Sequence, residues 1–214
     1  MTAGSQNVIP SKLSLTLGVV AAFLLCIPGQ LAWGTSVREV GFEEMLTQCE
    51  LVFEGRVLDI ETRKPSGNRH VRTYVTFQVL DVLKGHDPGE TLELSFLGGT
   101  WQGKTLMVHD LNLPQAGEIG IYFVESLARE QVHPLYGWSQ GHFLVVPDAD
   151  GINRVTTELR RPVTGLRSGY VGRSAVVSEG IARGLELSDV QRPSDAMTVE
   201  EFKRDLAEIL NVQR

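Results

Sequence analysis

Only two cysteines, Cys26 and Cys49, occur in the 214 residues, too few for a disulfide-stapled scaffold or a thiolate zinc site. Histidine is nearly as sparse. His70, His86, His109, His133 and His142 stand in no H-x-x-x-H or H-E-x-x-H spacing, the arrangement by which one element presents two imidazoles to zinc. No metal or other cofactor is therefore expected. No apolar run reaches the roughly twenty residues that a membrane-crossing helix needs; the stretch from Leu13 to Ile27 stops at Pro28. Strand-like and helix-like patterns do not alternate, which argues against Rossmann-type and hydrolase-type sheets. Positive charge is short as well: 20 Lys and Arg face 26 Asp and Glu, a net charge of −6. Nucleic acid and anionic membrane surfaces reward clustered Lys and Arg, so neither is expected as the main partner.

What the N-terminus does contain is a leader pattern. Lys12 is the only charged residue before Arg38, an apolar stretch follows it, and small residues stand at Ala32 and Gly34. Residues 1–34 therefore read as a secretory signal peptide, with cleavage after Gly34. A retained anchor is the alternative, and the shortness of the run and Pro28 weigh against it. The expectation is an exported protein, periplasmic or extracellular, with no stable membrane span after cleavage. Loss of Lys12 leaves 19 basic against 26 acidic residues, a net charge of −7. Cys49 is then alone. It follows Phe42, Met45 and Leu46 at helical spacing, so burial on an apolar face is its expected fate. A reactive thiol or a bridge between two chains is the other possibility.

Residues 35–158 are expected to form a mainly β domain, an OB-like closed barrel of Greek-key type, opened by a short helix near Phe42 to Gln48. Leu51, Phe53 and Val57 share one parity, while Leu58 and Ile60 take the other. Val71, Thr73, Val75, Phe77 and Val79 keep one face before Leu80 and Val82 switch. Strand side chains alternate strictly, so each change of parity requires a bulge, the first close to Gly55 and Val57. Lys64-Pro65-Ser66-Gly67-Asn68 supplies a hairpin loop. Two long bulged strands predict a sharply bent sheet, as a small barrel requires. Shorter alternating runs follow at Leu92–Phe96 and Ile119–Phe123, with a continuous apolar run at Phe143–Val146. Residues 159–196, with many Gly, Ser and Arg, read as an irregular surface segment. An amphipathic helix over 197–211 closes the chain. Thr198 and Glu201 form its capping box and Met197 and Phe202 its staple. Val199, Phe202, Leu206, Ile209 and Leu210 form the stripe that packs on the barrel.

Gly137-Trp138-Ser139-Gln140-Gly141 satisfies G-x-S-x-G, the pattern of a nucleophile elbow. That motif needs a strand before it, a helix after it, and an acid and then a histidine later in the chain. Here His133-Pro134 lies just upstream, a β-rich run follows, and no histidine occurs after His142. No catalytic residue is therefore expected, and the motif reads as a Gly-flanked strand entry with Trp138 packed in the core. Asp148, Asp150 and Asn153 lack the distant bidentate Glu of a calcium loop and read as a turn. Gly98-Gly99-Thr100-Trp101-Gln102-Gly103-Lys104 lacks the spacing of a phosphate loop and reads as a mobile loop with Trp101 at its tip. Exposed aromatics on loops make contacts, so Trp101 and Trp138 are the candidate binding residues.

Cys49-Glu50-Leu51-Val52-Phe53-Glu54-Gly55-Arg56-Val57, then Val75-Thr76-Phe77-Gln78-Val79 leading to Val82-Leu83-Lys84-Gly85, resembles a pattern in small exported bacterial proteins of uncharacterised function. Gly98-Gly99, Ala116-Gly117-Glu118 with Tyr122-Phe123, and Gly137 to Phe143 extend the resemblance, which covers Phe42 to Val146. The first half is also similar to the OB-like barrel of netrin and tissue-inhibitor-of-metalloprotease domains. Those inhibitors chelate a protease zinc through a disulfide-held N-terminal Cys, a feature without a counterpart here. The expected function is an exported, non-catalytic binding module whose partner is an exported protein or cell-envelope component. The alternatives are an exported hydrolase, serine-type at Ser139 or metal-dependent through His109, His133 and His142, and a structural envelope component.

Overall fold

The computed structural model describes residues 37–64, 67, 70–167 and 177–212. The chain divides into two units, residues 1–34 and 35–214, and the described residues belong to the second. The leader expected at 1–34, part of the loop expected at 64–68, and part of the segment 159–196 lie outside the described residues.

Helix α1 spans Phe42–Gln48. The strands are β1 (Leu51–Arg63), β2 (Arg72–Lys84), β3 (Thr91–Leu97), β4 (Gly99–Trp101), β5 (Lys104–Leu106), β6 (Ile119–Val124), β7 (His142–Pro147), β8 (Asn153–Thr157), β9 (Val163–Leu166) and β10 (Leu185–Leu187). Helix α2 spans Val199–Val212. Six strands form one antiparallel sheet in the order β3-β2-β1-β6-β7-β8. It consists of two three-stranded meanders joined along β1 and β6. The closed barrel expected from the sequence is not a closed ladder: β3 and β8 end the sheet, and no ladder joins them among the described residues.

The bends come from the register. Leu58 is the extra residue on β1 between the pairs Val57–Phe77 and Asp59–Thr76, and Leu80 the extra residue on β2 between Val79 and Asp81. Both stay exposed, at 51% and 43%, because a bulge turns its extra side chain out of the alternation. Gly55 of β1 lies opposite Gly120 of β6. A Cβ at Gly55 would stand 2.6 Å from the Phe53 ring, and one at Gly120 2.8 Å from the Tyr122 ring. The paired glycines thus let two aromatic rings lie over the strands.

Each face of the sheet buries its own cluster. Phe53, Phe77, Phe96, Tyr122, Val124 and Leu135 lie in one; α1 and α2 cover the other, where Phe42, Phe123, Phe143, Val155 and Phe202 meet. Phe202 sits 5.2 Å from Phe143 and 6.0 Å from Phe42, centroid to centroid. The capping box is formed: Glu201 N–H donates to Thr198 Oγ1 at 3.1 Å, and Thr198 N–H to Glu201 Oε2 at 2.8 Å. Lys203 adds ion pairs to Glu54 (2.6 Å) and Asp81 (2.7 Å). Cys49 is buried, at 2% exposure, and burial pushes its thiol well above the usual range. Within the described part of 159–196, β9 and β10 pair. Among the described residues no helix is long and apolar enough to cross a membrane.

Candidate functional site

The strand register builds the site. Pairings Phe53–Tyr122, Tyr122–His142 and Phe143–Thr157 run across β1, β6, β7 and β8. Glu158 follows Thr157 in the turn after β8, within electrostatic reach of His142 and Glu118. Cross-strand neighbours point to the same face, so an aromatic–polar row crosses the sheet from Phe53 through Tyr122 to His142, with Glu158 near its end.

The row is held from below by Glu118, just before β6. His142 Nε2 lies 2.7 Å from Glu118 Oε1, and Tyr122 Oη donates to the same oxygen at 3.0 Å. Tyr122 and His142 stack with centroids 5.1 Å apart. Burial pushes the Glu118 carboxyl up, but the hydrogen bond and charge of His142 outweigh it and hold Glu118 below the usual range. Glu158 goes the other way. Burial raises its carboxyl, and the nearby Glu118 charge adds to this against the opposing His142 charge and an Asn112 side-chain bond. Glu158 Oε2 is buried and has no hydrogen-bond partner among the described residues. The two neighbouring carboxyls are therefore tuned apart: Glu118 is held low by its direct bond to His142, and burial together with the Glu118 charge raises Glu158.

Glu158 opens onto a cleft of about 540 Å³. The loop Met107–Asn112, the pair Trp138–Ser139, Glu158–Leu159 and the stretch Val177–Gly180 form its walls, with Val37 at the margin. Three carboxyls line it, Asp110, Glu158 and Glu179, and among the described lining residues there is no Lys or Arg. Met107 and Val177 stand 85% and 58% exposed beside it.

Trp138 is held on its inner side. Its ring stacks on His133 at 5.5 Å and 13°, and His133 meets the Phe96 edge at 4.9 Å. Leu135 N–H donates to His133 Nδ1 at 3.2 Å, which leaves the proton of the neutral ring on Nε2. Burial drives the His133 imidazole down to about 3, with the His142 charge acting the same way. The backbone below Trp138 is unusual: Gly137 and Trp138 have φ of 65° and 62°, both left-handed. A bulky residue there costs about 1–2 kcal/mol. Gln140 fixes the turn, accepting from Val40 N–H at 2.9 Å and donating to the carbonyls of Arg38 and Gly137 at 3.0 Å each. Asp110 is also left-handed, at φ 59°. Two of the strained residues thus face one cleft.

The residues singled out from the sequence are distributed unequally. Trp138 and Ser139 line the cleft; Trp138 is only half-buried rather than packed in the core. Trp101 does not line it. It ends β4, opposite Lys104 in a short hairpin whose tip is Gln102-Gly103, and is 36% exposed. Ser139 lies in a 3-10 turn, Trp138–Gly141, instead of between a strand and an α-helix, and makes no hydrogen bond to a histidine among the described residues. His109 is exposed and pairs with Asp110 at 3.3 Å, whereas His133 and His142 are buried with their own partners. No group of three His, Cys, Asp or Glu side chains suited to a metal occurs among the described residues. Glu158 and Asn112 were missed from the sequence, where neither belongs to a motif; only strand pairing would have found Glu158. Comparison with protein-family models, with curated proteins and with solved structures yields no match.

Proposed function

We propose that this protein is an exported binding module of OB-like architecture that takes its ligand in the Trp138 cleft. The observation that carries the reading is that cleft: an aromatic ring stacked on a buried imidazole and held in a left-handed backbone, facing carboxyls across about 540 Å³. Sites that bind small groups are concave and carry a few placed polar groups; the walls of this cleft mix polar and apolar surface in comparable measure. The OB-like description draws support from the Gln131–Leu135 segment, which touches both meanders: Leu97 N–H donates to Val132 O at 2.9 Å, and Leu135 bridges to Val124. Export rests on the leader pattern, and the partner class remains an exported protein or a cell-envelope component. The hydrolase readings draw less support, since Ser139 has no histidine partner among the described residues and His109 pairs with Asp110 while His142 pairs with Glu118.

The test is site-directed photocrosslinking. A photoreactive residue at Met107, on the cleft rim, is compared with one at Leu80, on the bulge of β2. Exported proteins and glycans of the same source are offered to both. A single saturable adduct from position 107, absent from position 80 and lost with Trp138→Ala, supports the module. Equal labelling from both positions, or labelling that survives Trp138→Ala, overturns it. Trp101→Ala measures whether the hairpin adds a second contact.

A further inference from the structure

Resting on the cleft reading above, we propose that the cleft binds an aliphatic ammonium group, its charge among Glu158, Asp110 and Glu179 and its stem along the apolar rim. Four observations converge on this class. The first is the sign of the charge. Asp110, Glu158 and Glu179 line the cleft against one imidazole, His109, which pairs with Asp110 at 3.3 Å, and no Lys or Arg is among the described lining residues, so an anionic ligand meets net repulsion there. The second is Glu158 itself. Its buried Oε2 has no hydrogen-bond partner among the described residues, and the His142 ring is already engaged by Glu118 at 2.7 Å. A buried carboxylate without a full complement of donors is destabilised, and a cation nearby relieves it. The third is Trp138, whose ring is fixed by stacking on neutral His133; an indole is the strongest side-chain cation–π partner. The fourth is the rim, where Met107, Leu159 and Val177 are 85%, 48% and 58% exposed. A methylene stem covers such carbon surface, while a compact inorganic cation leaves it wet.

This selects against the neighbouring chemistries. A carboxylate or phosphate meets Glu158 and Glu179 directly, with Asp110 shared with His109. A neutral alcohol or sugar gains the stacking without the charge term. An alkylammonium of about the length of a lysine side chain uses every wall. Two sources share this chemistry, a free alkylamine and the lysine side chain of a polypeptide.

The experiment uses the whole protein labelled with ¹⁵N-tryptophan, the Trp138 indole N–H being assigned with Trp138→Phe. Pentylammonium, pentanol, methyl glucoside and pentanoate are titrated separately. The expected result is a saturable shift of the Trp138 resonance with pentylammonium, at least about tenfold tighter than with either neutral probe, and none with pentanoate. Glu158→Gln keeps the shape and weakens pentylammonium about tenfold. Asp110→Asn weakens it less and keeps a residue suited to left-handed backbone. Glu208→Gln, on the exposed face of α2, leaves it unchanged. Acetyl-lysine amide binding as well as pentylammonium supports a polypeptide source, and much weaker binding supports a free amine. If a neutral probe binds as tightly, or Glu158→Gln has no effect, the ammonium class is wrong while the cleft module stands. If no probe moves Trp138, the ammonium class is likewise wrong, and the crosslinking test decides the module independently.

Discussion

Acidification removes stability through His133, and the amount follows from its surroundings. The ring lies between Phe96 and Trp138, and burial takes its imidazole from an ordinary 6.5 down to about 3. Below pH 6.5 the unfolded chain binds a proton there that the folded protein refuses, so stability falls with pH until the folded value is reached. Between pH 7 and pH 5 the loss assigned to this one residue is about 2 kcal/mol. Both pH values lie well above the folded value, so the loss is set almost wholly by the unfolded side. The assay is urea unfolding at pH 7, 6 and 5 for the parent and for His133→Asn, whose amide oxygen takes over the Leu135 N–H. The substitution loses the stack with Trp138 and is less stable at every pH, but its dependence on pH is shallower by the same ~2 kcal/mol. Parallel pH curves for the two proteins would refute the reasoning, because they would mean that His133 takes up a proton in the folded state.

Three further outcomes are expected. Glu118→Gln weakens the bonds to His142 and Tyr122 and costs about 1–3 kcal/mol at neutral pH; because the Glu118 carboxyl is held low, the difference from the parent disappears as pH falls below about 4.3, which acid denaturation curves measure. Glu158→Gln has the opposite sign: a raised carboxyl makes ionisation destabilising, so the variant is more stable than the parent at neutral pH and the gain fades in acid, read from urea midpoints. Thr198→Ala removes the N-cap of α2 and costs about 1 kcal/mol, and in a double-mutant cycle with Glu201→Ala the two losses do not add.

The local pieces were legible in the sequence because their causes are local. Phe42, Met45 and Leu46 sit at helical spacing, and α1 forms over Phe42–Gln48. Thr198 and Glu201 are three residues apart, and the capping box forms. The parity changes at Leu58 and Leu80 coincide with register shifts. A third shift, between Val52 and Phe53, left no such mark, since β1 opens buried on both faces. The cleft was not legible. Glu158 comes within reach of His142 only through the pairing of β7 and β8, and Glu118 meets both through a neighbouring strand; no spacing along the chain encodes either. Trp138 was marked by its glycines, but its left-handed backbone depends on Gln140 reaching Arg38 and Val40, about a hundred residues away. Trp101 looked equivalent to Trp138 in sequence, and the β4–β5 hairpin carries it outside the cleft.

The joint between β1 and β6 has a consequence for the order of folding. The first meander is wired by short connections and the second by one short connection and the longer stretch between Val124 and His142, whereas the ladder from Leu51–Val124 to Arg56–Ile119 closes a loop of about sixty residues. It is the longest loop closure between neighbouring strands of the sheet, and long-range pairing of this kind slows folding. Glu118 directly precedes this seam and Tyr122 lies within it. Tyr122, His142 and Glu158 lie within the second meander, so of the row only Phe53 waits for this closure, and an intermediate with both meanders formed but unjoined would hold the polar end of the row without its aromatic neighbour on β1.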